Sequence, residues 1–294
     1  MTNSTILCYI ILVESEEEML INIEDFNFVH FAGGEVHLNA EEFFRILPKE
    51  KLPNTSDVIW SPIRNSVDLM ELLILTDAYK RYYMETPRTC IPYIPYARQD
   101  RVANIGESLS IKVFADIINS QNYPLVYVLD PHSEVCMALL NNVKVLKDIN
   151  NDYLSEIIPN YSTDYVVLAP DAGSFKRLGK AIKEVPLIYA TKQRDTKTGA
   201  LSNVEIHTGG LNFKDRKILV VDDICDGGGT FLLLADALRR AGVDNLLELY
   251  VSHGIFSKGI NNLLSAYSKI YTTNSFYQGI SEKVTVKDLK QYLK

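Results

Sequence analysis

Two adjacent carboxylates, Asp222 and Asp223, end an apolar run, Ile218-Leu219-Val220-Val221, and stand just ahead of Asp226-Gly227-Gly228-Gly229-Thr230. Four β-favouring apolar residues in succession suit a strand buried on both faces of a parallel sheet. The glycines then supply a turn free of bulky Cβ groups, and Phe231 through Arg240 reads as the helix that follows. Open N–H groups at a helix start, beside its positive dipole end, form an anion site. The two upstream carboxylates cannot hold that anion. At a buried strand end they are costly unless something binds them, such as sugar hydroxyls or a magnesium ion. The combination reads as a site for a phosphorylated sugar. A plain tight connection from strand to helix would explain the glycines but not the acid pair. The spacing is neither the ATP-binding Gly-x-x-x-x-Gly-Lys-Ser/Thr loop nor the dinucleotide Gly-x-Gly-x-x-Gly pattern.

Other stretches carry groups suited to phosphate chemistry. Pro92-Tyr93-Ile94-Pro95-Tyr96-Ala97-Arg98-Gln99-Asp100-Arg101 packs prolines, aromatics and two arginines into one run. Pro95 removes a donor and Pro92 restricts its neighbour, so neither a strand nor a helix interior fits. A structured loop presenting Arg98 and Arg101 to phosphates is expected, since guanidinium forks match phosphate oxygens; a structural salt-bridge loop is the alternative. Phe31-Ala32-Gly33-Gly34-Glu35-Val36 is a second glycine turn followed by an acid, and its plainer reading is a hairpin. His132 follows the apolar stretch 125–129, and Asp171 ends the corresponding strand of the next half, so the two could converge on magnesium held mostly by substrate phosphates. Lys192 and Arg194 sit at the end of an expected strand ahead of a polar, turn-prone segment, 196–203. A lid bringing positive charge to a phosphoryl-type transfer gives them a purpose; a solvated loop is the plainer reading.

These residues must be held by elements that the pattern also suggests. Apolar runs alternate with helical periodicity, as in an α/β protein with mainly parallel sheets. Strands are expected at 58–61, 88–93, 126–130, 143–146, 165–169, 187–191, 218–222, 247–253 and 268–272. Helices are expected at 67–83, 108–119, 133–140, 174–183, 230–241 and 258–266. With 294 residues, 47% of them hydrophobic, the chain can bury a large core and is expected to form two domains. The boundary falls near 143–148, giving domains at 1–145 and 146–280 and a tail, 281–294, that returns to the first half. A formal charge of -7 argues against a general nucleic-acid or anionic-membrane binder. Cys8, Cys90, Cys136 and Cys225 show no metal-ligand spacing and read as free thiols. Residues 5–13 are too short an apolar run to span a bilayer and read as an opening strand. A soluble cytoplasmic protein is expected.

From about Phe28 to Tyr277 the chain resembles the ribose-phosphate pyrophosphokinase family, the phosphoribosyl-pyrophosphate (PRPP) synthetases. The arginine loop 92–101, the pair Lys192 and Arg194, and the acid-glycine motif 222–230 stand in the family's order. Residues 65–76, NSVDLMELLILT, look like its helix after the second strand. The resemblance implies two type I phosphoribosyltransferase-like domains, each a mainly parallel sheet flanked by helices. It implies magnesium-dependent transfer of the β,γ-diphosphoryl group of ATP, as co-substrate, to the 1-hydroxyl of ribose 5-phosphate. Carried over position by position, Phe31 and Glu35 receive adenine and Arg98, Gln99 and Arg101 complete the ATP site across a subunit interface of a homo-oligomer, a dimer or hexamer. His132 and Asp171 match magnesium-associated positions, and Lys192 and Arg194 match the catalytic lid. Asp222 and Asp223 correspond to the residues holding the ribose hydroxyls. Asp226, Gly227, Gly228, Gly229 and Thr230 correspond to the cradle of the 5-phosphate.

The departures also carry meaning. Gly33 stands where the adenine loop usually has Asp, and Leu139-Leu140-Asn141 replaces an aromatic pair and an acid. Gly227 replaces a threonine in the phosphate turn. The lost side chain at 227 removes a hydroxyl and suggests open space for a larger acceptor, such as ADP-ribose pyrophosphorylated at its free 1-hydroxyl. Two other classes share the motif. A phosphoribosyltransferase would use 222–230 but needs only one such domain and no counterpart of 92–101. A non-catalytic regulatory relative would have no need of Lys192 and Arg194.

Overall fold

The computed structural model describes residues 18–49, 56–146, 149–158, 164–182, 185–194, 201–213, 215–243 and 246–293. The expected opening strand 5–13 and Cys8 lie outside them. The first half runs β1 (Leu20–Asn22), β2 (Val29–His30), β3 (Val36–His37), α1 (Ala40–Ile46), β4 (Val58–Trp60), α2 (Ser66–Tyr83), β5 (Arg88–Cys90), α3 (Ser110–Ser120), β6 (Val126–Val128), α4 (Glu134–Leu139) and β7 (Val143–Val145). Strands β1-β4-β5-β6-β7, in that order, form a sheet in which every pairing is parallel, while β2 and β3 form a separate antiparallel hairpin. Parallel neighbours need a crossover, and α2, α3 and α4 supply three of them.

Strand β4 shows why its apolar residues run without alternation. Successive side chains point to opposite faces, and both faces are covered. Ile59 packs with Leu72 and Leu75 of α2 and Phe114 of α3. Val58 and Trp60, on the other face, pack with Cys90, Leu146, Leu289 and Leu293.

The second half runs α5 (Ile149–Ile157), β8 (Tyr165–Ala169), α6 (Ala172–Ala181), β9 (Leu187–Arg194), β10 (Leu201–His207), β11 (Lys217–Cys225), α7 (Gly229–Arg240), β12 (Leu247–Gly254), α8 (Asn261–Ala266), β13 (Lys269–Thr273) and β14 (Val284–Lys287). The sheet order is β10-β9-β8-β11-β12-β13-β14, parallel except for the β9/β10 pair. Along β11, Ile218 and Val220 pack with Phe231, Leu234 and Leu238 of α7. Leu219 and Val221 pack on the opposite face with Tyr153 and Leu154 of α5 and Leu178 of α6. The chain's end divides between the halves: β14 is the edge strand of this sheet, whereas Leu289 and Leu293 pack against Val58 and Trp60 of the first.

Several elements differ from the sequence reading. Strand β9 does not end at residue 191; it continues through Arg194 and pairs antiparallel with β10, with Lys192 opposite Val204 and Arg194 opposite Leu201. Residues 201–203, expected within a polar loop, begin β10, and 195–200 lie outside the described residues. The alternation Val204-Glu205-Ile206-His207 was the available strand signal, and hairpin pairing overrides the polar residues beside it. Helix α5 goes beyond the sequence reading because Asn150-Asn151-Asp152 in its first turn is polar; Tyr153, Leu154 and Ile157 behind it form an apolar stripe. Among the described residues, no helix is long and apolar enough to cross a membrane.

Candidate active site

The site is set by topology. From β8 the chain passes through α6 to β9 on one side, and from β11 through α7 to β12 on the other, with α6 and α7 on opposite faces. The carboxyl ends of β8 and β11 therefore flank the point where the strand order reverses, where open α/β sheets form a crevice. Asp171 lies at the end of β8 and the 222–230 motif at the end of β11.

Asp222 and Asp223 are both largely buried and have different partners. Asp222 Oδ1 accepts the hydroxyl of Ser174 at 2.7 Å and Nη2 of Arg177 at 3.2 Å. Asp223 Oδ2 meets Nη1 of Arg177 at 3.3 Å and Nδ1 of His132 at 2.6 Å, and its Oδ1 accepts the Ile224 amide at 2.9 Å. Burial, then the charge of Asp223, push the Asp222 carboxyl up to about 7. Burial also acts to raise Asp223, but the hydrogen bond from His132 and the charge of Arg177 outweigh it and hold that carboxyl below the usual range. The same hydrogen bond raises His132. Neither Ser174 nor Arg177 was singled out in the sequence. They lie one turn apart on α6, an i,i+3 spacing that puts them on one helix face. The signal was that spacing, directly after the expected strand-end acid Asp171.

Asp171 caps α6, its Oδ1 accepting the Ser174 amide at 2.9 Å. His132 and Asp171 thus each have a protein partner. Among the described residues, no group of three or more His, Cys, Asp or Glu side chains is arranged to hold a metal ion.

Gly228 precedes α7 with φ 75°, a left-handed conformation that glycine adopts without strain. A Cβ there would also stand 3.1 Å from Leu263. The first internal bond of α7 runs from the Leu232 amide to the Gly228 carbonyl at 3.1 Å, so the amides ahead of it are not used by the helix ladder. The side of Gly229 is open, with nothing within 4 Å of the position a Cβ would take. The side of Gly227 is not: a Cβ there would meet Cε, Cδ and Cγ of Lys258 at 3.4, 3.5 and 3.7 Å. The expectation of open space beside residue 227 is corrected by this contact, which the sequence could not show across 31 positions.

Loop 92–101 lies between the two sheets, with Tyr93, Ile94 and Ala97 buried and Arg98, Gln99 and Arg101 exposed. Arg98 Nη1 reaches Asp226 Oδ2 at 3.2 Å, and Asp226 Oδ1 accepts the Ser257 hydroxyl at 2.6 Å. With both charged partners about half exposed, the ion pair contributes less than about 1 kcal/mol. A cavity of about 610 Å³ opens here, lined by Tyr93, Arg98, Gln99, Asp226 and Phe276 among others. Asp222 and Asp223 are not in its wall. A second cavity, about 630 Å³, lies at the β2/β3 hairpin and is lined by Phe31, Gly34, Glu35, Val36, His37 and Met70. Phe31 is 51% exposed. The plainer hairpin reading of 31–36 is therefore met, with Gly34 at φ 88° in the turn. Of these two cavities, Phe31 and Glu35 line the second, while Arg98 and Gln99 line the first and Arg101 lines neither. The described part of Lys192 and Arg194 is their backbone on β9.

The halves are joined by buried polar contacts. His253 Nε2 donates to the carbonyls of Leu129 at 3.2 Å and Asp130 at 3.3 Å, and its Nδ1 accepts the Ser275 hydroxyl at 2.8 Å. Burial lowers the pKa of His253, in keeping with a neutral ring that donates on one side and accepts on the other. Cys90, Cys136 and Cys225 are free and buried, and burial pushes the Cys225 thiol up to about 12, so it is no nucleophile at neutral pH.

Comparison with known proteins fits this arrangement. Residues 14–121 match the family model of the N-terminal domain of ribose phosphate pyrophosphokinase, and residues 138–276 match the phosphoribosyl transferase domain. Ribose-phosphate pyrophosphokinase 1 of Listeria innocua is 31% identical over 275 residues, covering 89% of this chain and 80% of that protein. The ribose-phosphate pyrophosphokinase of Pyrococcus abyssi is 28% identical over 258 residues, covering 85% of each. The crystal structure of phosphoribosylpyrophosphate synthetase from Mycobacterium smegmatis superposes with a TM-score of 0.71 over 94% of this chain and 95% of that one, at 20% identity, which establishes the shared fold.

Proposed function

The chain belongs to the ribose-phosphate pyrophosphokinase family, and from that membership we propose that it transfers the β,γ-diphosphoryl group of ATP to the 1-hydroxyl of ribose 5-phosphate, giving PRPP and AMP. The observation that carries this reading is the buried acid pair clamped by Ser174, Arg177 and His132 beside an open, glycine-rich helix start. Carboxylate oxygens accept from the sugar 2- and 3-hydroxyls, and the amides of 227–230 with the Thr230 hydroxyl take the 5-phosphate. Arg98, Gln99 and Arg101 bind the ATP phosphates, with Arg98 exchanging its weak pair to Asp226 for a phosphate oxygen. Phe31 and Glu35 receive adenine for a second copy of the chain, because within one chain they open onto a different cavity. Lys192 and Arg194 stabilise charge on the transferring group.

In the step itself, the 1-hydroxyl oxygen bonds to the β-phosphorus and loses its proton. The bond from that phosphorus to the α,β-bridging oxygen breaks and AMP leaves. No covalent enzyme intermediate is needed; the residues align the two reactants and hold the charge. The donor set fits magnesium held by few protein groups. Asp223, Asp130 and Asp222 all act on the single cation of Arg177, so carboxylates outnumber cations there and supply the hard oxygen donors that magnesium takes. His132 and Asp171 are the residues assigned beside the ion, which when bound would neutralise charge on the phosphate oxygens.

With Lys258 lying beside Gly227, ribose 5-phosphate rather than ADP-ribose is the acceptor proposed. Incubation with ATP, magnesium and each acceptor separately, with AMP release and product mass as readouts, tests this. Turnover of ADP-ribose alone would reverse the acceptor assignment. Release of pyrophosphate from PRPP with a purine or pyrimidine base, without ATP turnover, would make the protein a phosphoribosyltransferase. Lys192→Ala is expected to abolish AMP formation while leaving ATP binding largely intact; unchanged AMP formation would refute its role and favour a different catalytic cation.

A further inference from the structure

Lys258 lies outside every motif that carries the proposed chemistry, yet the fold lays its side chain along the phosphate turn. Its Cγ, Cδ and Cε all come within 3.7 Å of the position a Cβ at residue 227 would take, so the lysine stem packs along that side of the turn at van der Waals contact. The placement is built by the backbone. The amides of Ile255 and Phe256 both donate to the Cys225 carbonyl, at 2.9 and 3.1 Å, and the Ser257 amide donates to the Asp226 carbonyl at 3.2 Å. The Ser257 hydroxyl adds a bond to Asp226 Oδ1 at 2.6 Å. Phe256 holds φ 49°, unusual for a non-glycine residue, and the ring comes so close to Gly254 that a Cβ there would stand 2.3 Å from it. Residues 255–257 are thus strapped to residues 225–226, and the Gly259 amide turns back to the Phe256 carbonyl at 2.8 Å, which fixes where the Lys258 stem starts.

The ammonium is exposed and, among the described residues, makes no ion pair within 4.0 Å, although Asp226 is its sequence-neighbour's partner. A lysine stem packed on a glycine with its charge uncommitted, at the start of a 12-residue helix whose first amides are open, has the chemistry of a phosphate-binding side chain.

We propose that Lys258 is a specificity-determining residue that binds the 5-phosphate of the sugar acceptor, reaching it over the side-chain-free position 227. The assignment rests on the proposed reading of 222–230 as the acceptor site and deepens it: the site selects a sugar carrying a phosphomonoester over the same sugar without one. The lysine stem runs along the side-chain-free face of residue 227, at van der Waals distance from the position a Cβ would take. The cation does by its own charge what a hydroxyl at 227 would do by donating a single hydrogen bond.

The test is calorimetric binding of ribose 5-phosphate and of unphosphorylated ribose to the full chain and to Lys258→Met and Lys258→Arg. Methionine keeps an unbranched apolar stem against Gly227 and removes only the charge, so folding is preserved. Lys258→Met is expected to weaken ribose 5-phosphate binding about tenfold at low salt, as loss of one charge-assisted hydrogen bond requires. Binding of ribose stays unchanged, Lys258→Arg restores most of the affinity, and the deficit shrinks as ionic strength rises. Equal ribose 5-phosphate affinity in the wild-type chain and Lys258→Met overturns the proposal, as does equal weakening for both sugars. Turnover of the wild-type chain is read separately. If it binds ribose 5-phosphate in a Lys258-dependent way but forms no AMP, the proposed reaction fails and the phosphate role stands; if it binds no ribose 5-phosphate, both fail.

Discussion

The carboxyl end of β11 and the loop 92–101, linked by the pair of Arg98 and Asp226, are built in opposite ways. At β11 the charged groups are buried and already partnered: Asp223 alone meets Arg177, His132 and its neighbour's amide. On the loop, Arg98, Gln99 and Arg101 are exposed above a buried anchor of Tyr93, Ile94 and Ala97. A small sugar without charge near its hydroxyls must be recognised by oriented acceptors, and orientation needs a fixed network. A polyphosphate can be held by exposed cations whose cost before binding is small. Binding and stability should therefore be coupled at β11 and separable at the loop.

That contrast can be broken, beginning with the largest effect. Arg177→Met leaves two adjacent buried carboxylates without their shared cation. It should cut AMP formation about 100-fold or more and, allowing for the one-third exposure of the side chain, cost about 2 kcal/mol in urea unfolding. Normal stability in that variant would separate binding from folding at β11 and sink the contrast. Arg98→Ala and Arg101→Ala should each weaken ATP binding about tenfold while moving unfolding stability by less than about 0.5 kcal/mol; a large stability loss would mean that the loop is as integral as β11. Gly228→Ala forces φ 75° on a residue with a Cβ placed 3.1 Å from Leu263, and should destabilise the chain by about 1–2 kcal/mol in thermal unfolding. Ser174→Ala removes one hydrogen bond of 2.7 Å to Asp222. A loss of about 1 kcal/mol, seen as a several-fold rise in the KM for ribose 5-phosphate, is expected, and no change in KM would remove Ser174 from the sugar site.

Much of the scaffold was legible beforehand because its signals are local. The apolar run at 218–221 gives β11, the periodicity of 67–83 gives α2 with Asn65 accepting the Val67 amide at 2.7 Å, and the prolines of 92–101 exclude regular structure. The β9/β10 hairpin was not legible, since pairing between strands decides the fate of residues that read as a polar loop. Phe31 and Glu35 were grouped with Arg98 by motif, but within one chain the fold sets them on separate cavities.

By itself the sequence determined the chemistry available: an acid pair, a glycine-rich helix start, an arginine loop and the two α/β halves that carry them, all properties of residue type and short spacing. Only the tertiary structure decided how those groups are completed. His132 reaches Asp223 across 91 positions, Arg177 bridges both acids from a helix after another strand, and Lys258 lies along the side of Gly227. The physical reason is that burial and charge pairing act through space. The crevice where strand order reverses brings together side chains whose separation along the chain carries no trace of their contact.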